Sequence, residues 1–284
     1  MIYTLTLNPS IDYVMNPPDL IRGGMNRSAR ESFSPAGKGV NVSRVLKLLG
    51  VESVAICLCG TGFAGEEFAR TLDVESVLIR VAGRDTRINV KISENGVVTE
   101  FNGGFSVDEK ALSALGDALK TPAKSDTLVI GGSVPDGVPD TFCEDTARAL
   151  SERGARVIAD VSGRSLTGAV KGGSFLVKPN ADELGELFGV KINGFGDAAF
   201  YGKKLAERGS GGVLVSLGGD GAVLVAPDGV HTARAPEGDA VYTVGAGDAL
   251  LAGFIAEFSR SSDYGKSLAF GVETGSRAAF GGLL

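Results

Sequence analysis

Short apolar runs alternate with longer amphipathic stretches along most of this 284-residue chain, and that alternation leaves few folds open. The strand-like runs are residues 2–7, 54–59, 77–81, 127–130, 156–161, 175–178 and 213–217. Between them, apolar residues recur at helical spacing over 40–49, 66–72, 108–119, 140–153, 183–188 and 198–208. Strands separated by helices join through crossovers, so the pattern predicts a mostly parallel sheet covered by helices on both faces. Gly50, Gly154, Gly189 and Gly209 stand where such helices would end. No repeat or linker interrupts the pattern, which predicts a single α/β domain over residues 1–284.

One region departs from it. In residues 86–92 (TRINVKI), Ile88, Val90 and Ile92 alternate strictly with Arg87, Asn89 and Lys91. Asn95 and Gly96 follow as a strong hairpin signal, and residues 97–102 read as the second strand. A half-polar hairpin suits a lid over a site better than a buried central strand. With the irregular stretch after Asp12, the lid is assigned to about residues 11–35 and 84–104.

The charge and the rare residues exclude whole classes of function. A net charge of −6 argues against a nucleic-acid binder. No apolar run approaches the roughly 18 residues of a membrane span. Cys57, Cys59 and Cys143 read as small buried hydrophobes in a reducing cytoplasm. His231 is the one histidine, in a turn-like surface segment, which removes histidine-dependent triads and nearly every zinc site unless that residue is used.

Glycine supplies 42 residues, about twice its usual share of roughly 7%, and many of them cluster where strands end. Gly60 to Gly65 (GTGFAG) matches a dinucleotide fingerprint, with Asp85 as the acid downstream. The segment lies behind a complete βα unit, so a tight turn with close helix–strand packing is preferred to a nicotinamide dehydrogenase. A Walker P-loop is absent, because Arg260 stands where Gly265-Lys266-Ser267 would require an upstream glycine. Gly245, Ala246 and Gly247 precede Leu250, Leu251, Phe254, Ile255 and Phe258 at helical spacing. The helix start they form attracts an anion. Asp248 is then either an N-cap or the carboxylate that takes a proton beside an anion hole, as phosphoryl transfer needs. A fourth cluster, residues 35–43 (PAGKGVNVS), also opens a helix, with Lys38 and Asn41 on the turn side. Around it, six basic residues (Arg22, Arg27, Arg30, Lys38, Arg44 and Lys47) meet one acid, Glu31. That excess in an acidic chain suggests a phosphate-bearing ligand, although a solvated face suits Arg44 and Lys47.

In order and spacing, these segments resemble the ribokinase/PfkB carbohydrate-kinase family over essentially the whole chain. The resemblance covers residues 7–12 (LNPSID), 37–41 (GKGVN), 86–89 (TRIN), 99–102 (TEFN), 132–135 (GSVP), 178–180 (KPN) with Glu183, 216–221 (SLGGDG) and 244–248 (VGAGD). The wording is similar to the sugar-phosphate branch, which holds 1-phosphofructokinases and tagatose-6-phosphate kinases. It implies a three-layer α/β/α ribokinase-like sandwich with a mostly parallel central sheet and a small β-sheet lid, often used for dimerisation. It implies Asp248 as catalytic base and Gly245, Ala246 and Gly247 as anion hole. Asp12, Gly39 and Asn41 match sugar-hydroxyl positions, with Gly37, Asn102 and Ser133 also in the substrate site. Arg27 and Arg87 match positions that hold the substrate's own phosphate, with Lys38 nearby. Lys178, Asn180, Ser216, Gly218 and Gly221 match ATP-phosphate positions. Asn180 and Glu183 match a motif associated with Mg²⁺ through water, though the bare sequence is equally a capping box. Two departures stand out. Ala36 replaces a common glycine, and the chain ends at Leu284, where relatives usually add a final helix to the adenine-side wall.

The expected activity is ATP-dependent phosphorylation of a ketohexose phosphate in the cytoplasm, first of all fructose 1-phosphate, by a homodimer joined through the lid. Tagatose 6-phosphate and fructose 6-phosphate are the alternative substrates. A catalytically silent sugar-phosphate sensor and a dehydrogenase using Gly60–Gly65 are the more distant alternatives.

Overall fold

The computed structural model describes residues 1–94, 97–241 and 243–281. A nine-stranded sheet runs through the centre. Its order is β13 (Gly229–Arg234), β12 (Gly221–Ala226), β11 (Val213–Ser216), β10 (Leu176–Val177), β9 (Arg156–Asp160), β8 (Thr127–Gly131), β1 (Ile2–Thr6), β4 (Val54–Gly60) and β5 (Ser76–Val81). All neighbours are parallel except at the β11–β12–β13 edge, which is an antiparallel meander. The helices are α1 (Lys38–Leu48), α2 (Phe63–Thr71), α3 (Glu109–Ala118), α4 (Phe142–Glu152), α5 (Gly163–Lys171), α6 (Ala181–Phe188), α7 (Gly194–Ala206), α8 (Ala246–Ser261) and α9 (Tyr264–Ala279).

Strand periodicity explains the layers. Leu128 and Ile130 of β8 point to one face and pack with Leu115, Leu150, Leu166, Leu184 and Leu205 from α3 to α7. Val129, between them, points to the other face, with Leu46 of α1 and Leu251 and Phe254 of α8. Each such leucine contributes roughly 1.5–3 kcal/mol by leaving water. The strands are therefore continuous apolar runs, covered on both sides. The three cysteines are free and buried, as their apolar settings predicted. His231 of β13 pairs with Asp228 in the preceding turn at 2.9 Å.

A second sheet stands off the first. It comprises β2 (Ser10–Met15), β3 (Glu31–Ala36), β6 (Arg87–Glu94) and β7 (Val97–Asn102), in the order β3-β2-β6-β7. The stretch read as irregular after Asp12 thus contains most of two strands. Pairing of β2 with β3 on one side and β6 on the other, not a local pattern, makes them strands. The β6–β7 hairpin forms in register from Glu94↔Val97 to Asn89↔Asn102. Its turn signal, Asn95 and Gly96, lies outside the described residues. The polar face of β6 is the covered one: Asn89 and Lys91 are each 6% exposed, whereas Ile88 is 44% exposed.

Candidate active site

The site gathers at the carboxyl ends of the central strands, where loops and helix starts converge and the small sheet hangs over them. One cavity of about 690 Å³ is lined by residues from both sheets. Of the residues singled out from the sequence, it brings together Asp12, Gly37, Lys38, Asn41, Arg87, Asn102, Ser133, Lys178, Asn180, Glu183, Ser216, Gly245, Gly247 and Asp248.

Asp248 occupies the first turn of α8 and is 6% exposed. It is not an N-cap. Gly245 holds that position with φ +84°, and no side chain caps the helix. The Asp248 carboxylate instead accepts from Asn41 Nδ2 at 2.7 Å. Burial, and next the negative charge of Asp160, push its pKa up to about 6, against the pull of Asn41, Lys38 and Lys178. A carboxylate in that range can take up a proton near neutral pH.

Asp160, at the end of β9, organises the cationic side. It accepts from Lys38 Nζ at 2.9 Å and pairs with Lys178 Nζ at 3.2 Å. Burial alone would raise its pKa, and the two ammonium groups outweigh burial and hold it below the usual range. Lys178 Nζ lies 3.6 Å from where a Cβ on Gly247 would stand, so this charge adjoins the α8 N-terminus. The Ala246 amide is not aimed at a ligand, because it donates to the Thr243 carbonyl at 3.2 Å. The amides of Gly245 and Gly247 flank it in the first turn, where an α-helix leaves N–H groups without intrahelical partners.

The lid supplies the opposite wall. Arg87 donates to the Asn8 carbonyl and to Asn89 Oδ1 at 3.1 Å. Asp12 Oδ1 accepts from Ser10 Oγ at 2.8 Å and Asn89 Nδ2 at 2.9 Å, and Asp12 Oδ2 faces Lys91 Nζ at 2.7 Å. Asn8 Nδ2 donates to Ser133 Oγ, while Asn8 Oδ1 is buried without a partner among the described residues.

Other residues singled out from the sequence lie outside this cavity or serve the fold around it. Arg27 is exposed between β2 and β3 and does not line the cavity. Gly39 is buried in the first turn of α1, where a Cβ would stand 2.8 Å from the Leu5 carbonyl oxygen, so the position requires close packing on β1. Gly218, Gly221 and Ala246 line a second cavity of about 520 Å³, which shares Ser216 and Gly247 with the first. Val272, Gly275, Ser276 and Ala279 of α9 form one wall of it, so that side is not open for want of a helix. Arg44 is no solvated charge. It braces Asp73 at 2.7 Å and the Pro35 carbonyl at 2.6 Å. Ala36 ends β3 as a buried residue on the cavity wall.

Gly60 to Gly65 is a packing turn. A Cβ at Gly65 would stand 2.1 Å from the Gly60 carbonyl oxygen. The Asp85 carboxylate already fills the α2 N-terminus, accepting from Gly65 N at 2.9 Å and from Ala64 N at 3.3 Å. A pyrophosphate would need the amides that Asp85 occupies, so the dehydrogenase reading falls.

Asn180 and Glu183 form a reciprocal capping box on α6, each bond 2.8 Å long. Among the described residues there is no group of three His, Cys, Asp or Glu that could hold a metal directly. The donors on the wall, Glu183 first, fit a hard cation carried on substrate phosphates and water.

Sequence reading missed Asp160, Asn89, Lys91 and Asn8. Asp160 carried a signal: an acid at the carboxyl end of a buried apolar strand. The other three lie within motifs whose neighbours drew the attention.

The model of the pfkB family carbohydrate kinase matches residues 5–280. The 1-phosphofructokinase of Bacillus subtilis is 42% identical over 99% of this chain and 93% of its own length. The D-tagatose-1-phosphate kinase of Bacillus licheniformis is 32% identical with the same coverage. Phosphofructokinase-2 from Escherichia coli, solved in complex with substrates and products, superposes with a TM-score of 0.91 at 29% identity, over 98% of this chain and 93% of that one.

Proposed function

The chain belongs to the pfkB family of carbohydrate kinases, and from that premise we propose that it transfers the γ-phosphoryl group of ATP to the 6-hydroxyl of fructose 1-phosphate, giving fructose 1,6-bisphosphate and ADP. The observation that carries this reading is one arrangement. A buried carboxylate, Asp248, sits at a helix start beside two lysines held by Asp160, across the cavity from a lid that bears Arg87.

In this reading, Asp248 accepts the proton of the attacking hydroxyl as the oxygen bonds to phosphorus and the bond to ADP breaks. Asn41 holds the carboxylate in place. The first-turn amides of α8, Lys38 and Lys178 stabilise charge on the transferred group. Asp12 and Asn41 bind sugar hydroxyls. Arg87, Asn8 and Ser133 hold the phosphate already on the sugar, for which a guanidinium is well shaped. Ser216, Gly218 and Gly221 border the nucleotide, whose base lies in the more apolar second cavity. Glu183 and Asn180 would hold Mg²⁺ through water, and the ion supplies charge neutralisation on the ATP phosphates. The lid excludes water, which otherwise competes as acceptor.

Both curated relatives named above carry the substrate phosphate at C1, which favours fructose 1-phosphate over the 6-phosphates. A homodimer through the lid is supported by its outer face, where Phe33 is 53%, Ile88 44% and Phe101 60% exposed. Three free buried cysteines fit a reducing cytoplasm.

The test is ADP release with fructose 1-phosphate, fructose 6-phosphate, tagatose 6-phosphate and unphosphorylated fructose. The highest kcat/KM belongs to fructose 1-phosphate. A higher value for another acceptor would replace it as substrate, and ADP release with none would leave a silent sensor.

A further inference from the structure

Asp12 is the lid's only carboxylate on the cavity wall among the described residues, and its partners divide its two oxygens unequally. Oδ1 already accepts from Ser10 Oγ and Asn89 Nδ2. A carboxylate oxygen accepts about two hydrogen bonds along its lone pairs, so Oδ1 is saturated. A sugar hydroxyl that donates to Asp12 must therefore approach Oδ2, and Oδ2 stands 2.7 Å from Lys91 Nζ. Lys91 is 6% exposed, lies on the inner face of β6 with Arg87 and Asn89, and lines the substrate cavity itself. A second carboxylate, Glu100, lies 3.8 Å from the same ammonium.

Carboxylate oxygen and ammonium side by side present an acceptor next to a donor. Two hydroxyls on adjacent carbons present the complementary pattern, one donating and its neighbour accepting. In the furanose form of a 1-phosphorylated ketohexose, the 3- and 4-hydroxyls are the adjacent secondary pair between the phosphate end and the reacting 6-hydroxyl. We infer that Lys91 is a substrate-contacting specificity residue, which with Asp12 reads the 3,4-diol of the ketose: one hydroxyl donates to Asp12 Oδ2 and the other accepts from Lys91 Nζ. The inference rests on the sugar site proposed above.

The experiment compares wild type, Lys91→Met and Lys91→Arg on fructose 1-phosphate and on its 3-deoxy and 4-deoxy analogues, with ADP release as the assay. Met keeps the length of the side chain and removes the charge. On the parent sugar, Lys91→Met should lower kcat/KM roughly 10–100-fold, the range of a lost charged hydrogen bond, with KM for ATP unchanged. On whichever analogue lacks the hydroxyl that Lys91 meets, wild type should already show that loss, and Lys91→Met should cost less than about 2-fold more. An equal cost on the parent and on both analogues would mean that Lys91 serves only the lid's structure, and would overturn the inference. So would an unchanged kcat/KM on the parent. If Lys91→Met does not fold, Lys91→Arg carries the same comparison, because its longer planar head displaces the donor while keeping the charge. It should compress the wild-type preference for the parent over that analogue by about 10-fold, and an unchanged preference overturns the inference. If wild type neither binds (by calorimetry) nor phosphorylates any ketose phosphate, the sugar-site reading fails and this inference falls with it. If wild type works and the variants match it, only the inference fails.

Discussion

Replacing Asp248 by Asn should make the protein a far slower catalyst and, at neutral or higher pH, more stable. The magnitude follows from burial. Folding raises this carboxyl from its ordinary 3.8 to about 6, so the native state favours the protonated form. A group whose folded pKa is raised supports the fold at low pH, and that support is lost as pH climbs through the folded value. Above pH 6 the native protein holds a buried ionised carboxylate at a cost of ~3 kcal/mol. Asn has nearly the same shape, can still accept from Asn41 Nδ2, and carries no charge. The variant's advantage should therefore be ~3 kcal/mol at pH 8 and shrink to about 0.5 kcal/mol at pH 4, where the native carboxyl is protonated and only the unfolded one is partly ionised. Differential scanning calorimetry at the two pH values should show a Tm gain of roughly 6 °C at pH 8 and almost none at pH 4. In the same preparation, loss of the general base should lower kcat by about 10²–10⁴-fold. An equal gain at both pH values, or no gain at pH 8, would refute the claim that a buried, charge-strained carboxylate occupies this position.

Three further outcomes are expected. Wild-type kcat/KM for the ketose phosphate should rise tenfold per pH unit below about 6 and level off above it, as the raised Asp248 value requires; a profile flat from pH 5 to 8 would contradict the assignment. Arg87→Ala should raise KM for the ketose phosphate roughly 10–100-fold and leave KM for ATP alone, and an unchanged sugar-phosphate KM would remove its phosphate role. Asp85→Ala frees the amides of Ala64, Gly65 and Thr86 together, so urea denaturation should show a loss of about 1–2 kcal/mol, and a loss below about 0.3 kcal/mol would contradict the cap described here.

Much of the fold was legible because buried parallel strands have a plain signature. Leu128, Val129 and Ile130 are apolar on both faces, so the run stands out without any pairing information. The lid hairpin was legible from the opposite signature, strict alternation at 87–92. Strands β2 and β3 were not, because their order comes from pairing with each other and with β6, distant in sequence. At the site, glycines before a buried helix marked Asp248, and motif order marked Lys178 and Arg87. What the sequence could not display was the partner of each charge. Asn41 meets Asp248 across 207 positions, and Lys38 meets Asp160 across 122. Asp160 owes its whole role to that convergence. Arg27 shows the reverse: a motif position whose side chain the fold leaves exposed outside the cavity. The glycines divide in the same way. Gly65 serves backbone contact inside the fold, while Gly218 and Gly219 have open space before them on the second cavity.

Phosphorylation of fructose 1-phosphate at C6 is tested most directly by ³¹P nuclear magnetic resonance of the product made from fructose 1-phosphate, ATP and Mg²⁺. A new phosphomonoester resonance coupled to the C6 protons should grow in step with ADP, and about 10²–10⁴-fold more slowly with Asp248→Asn. ADP accompanied only by inorganic phosphate, or a phosphate placed on any other carbon, would contradict it.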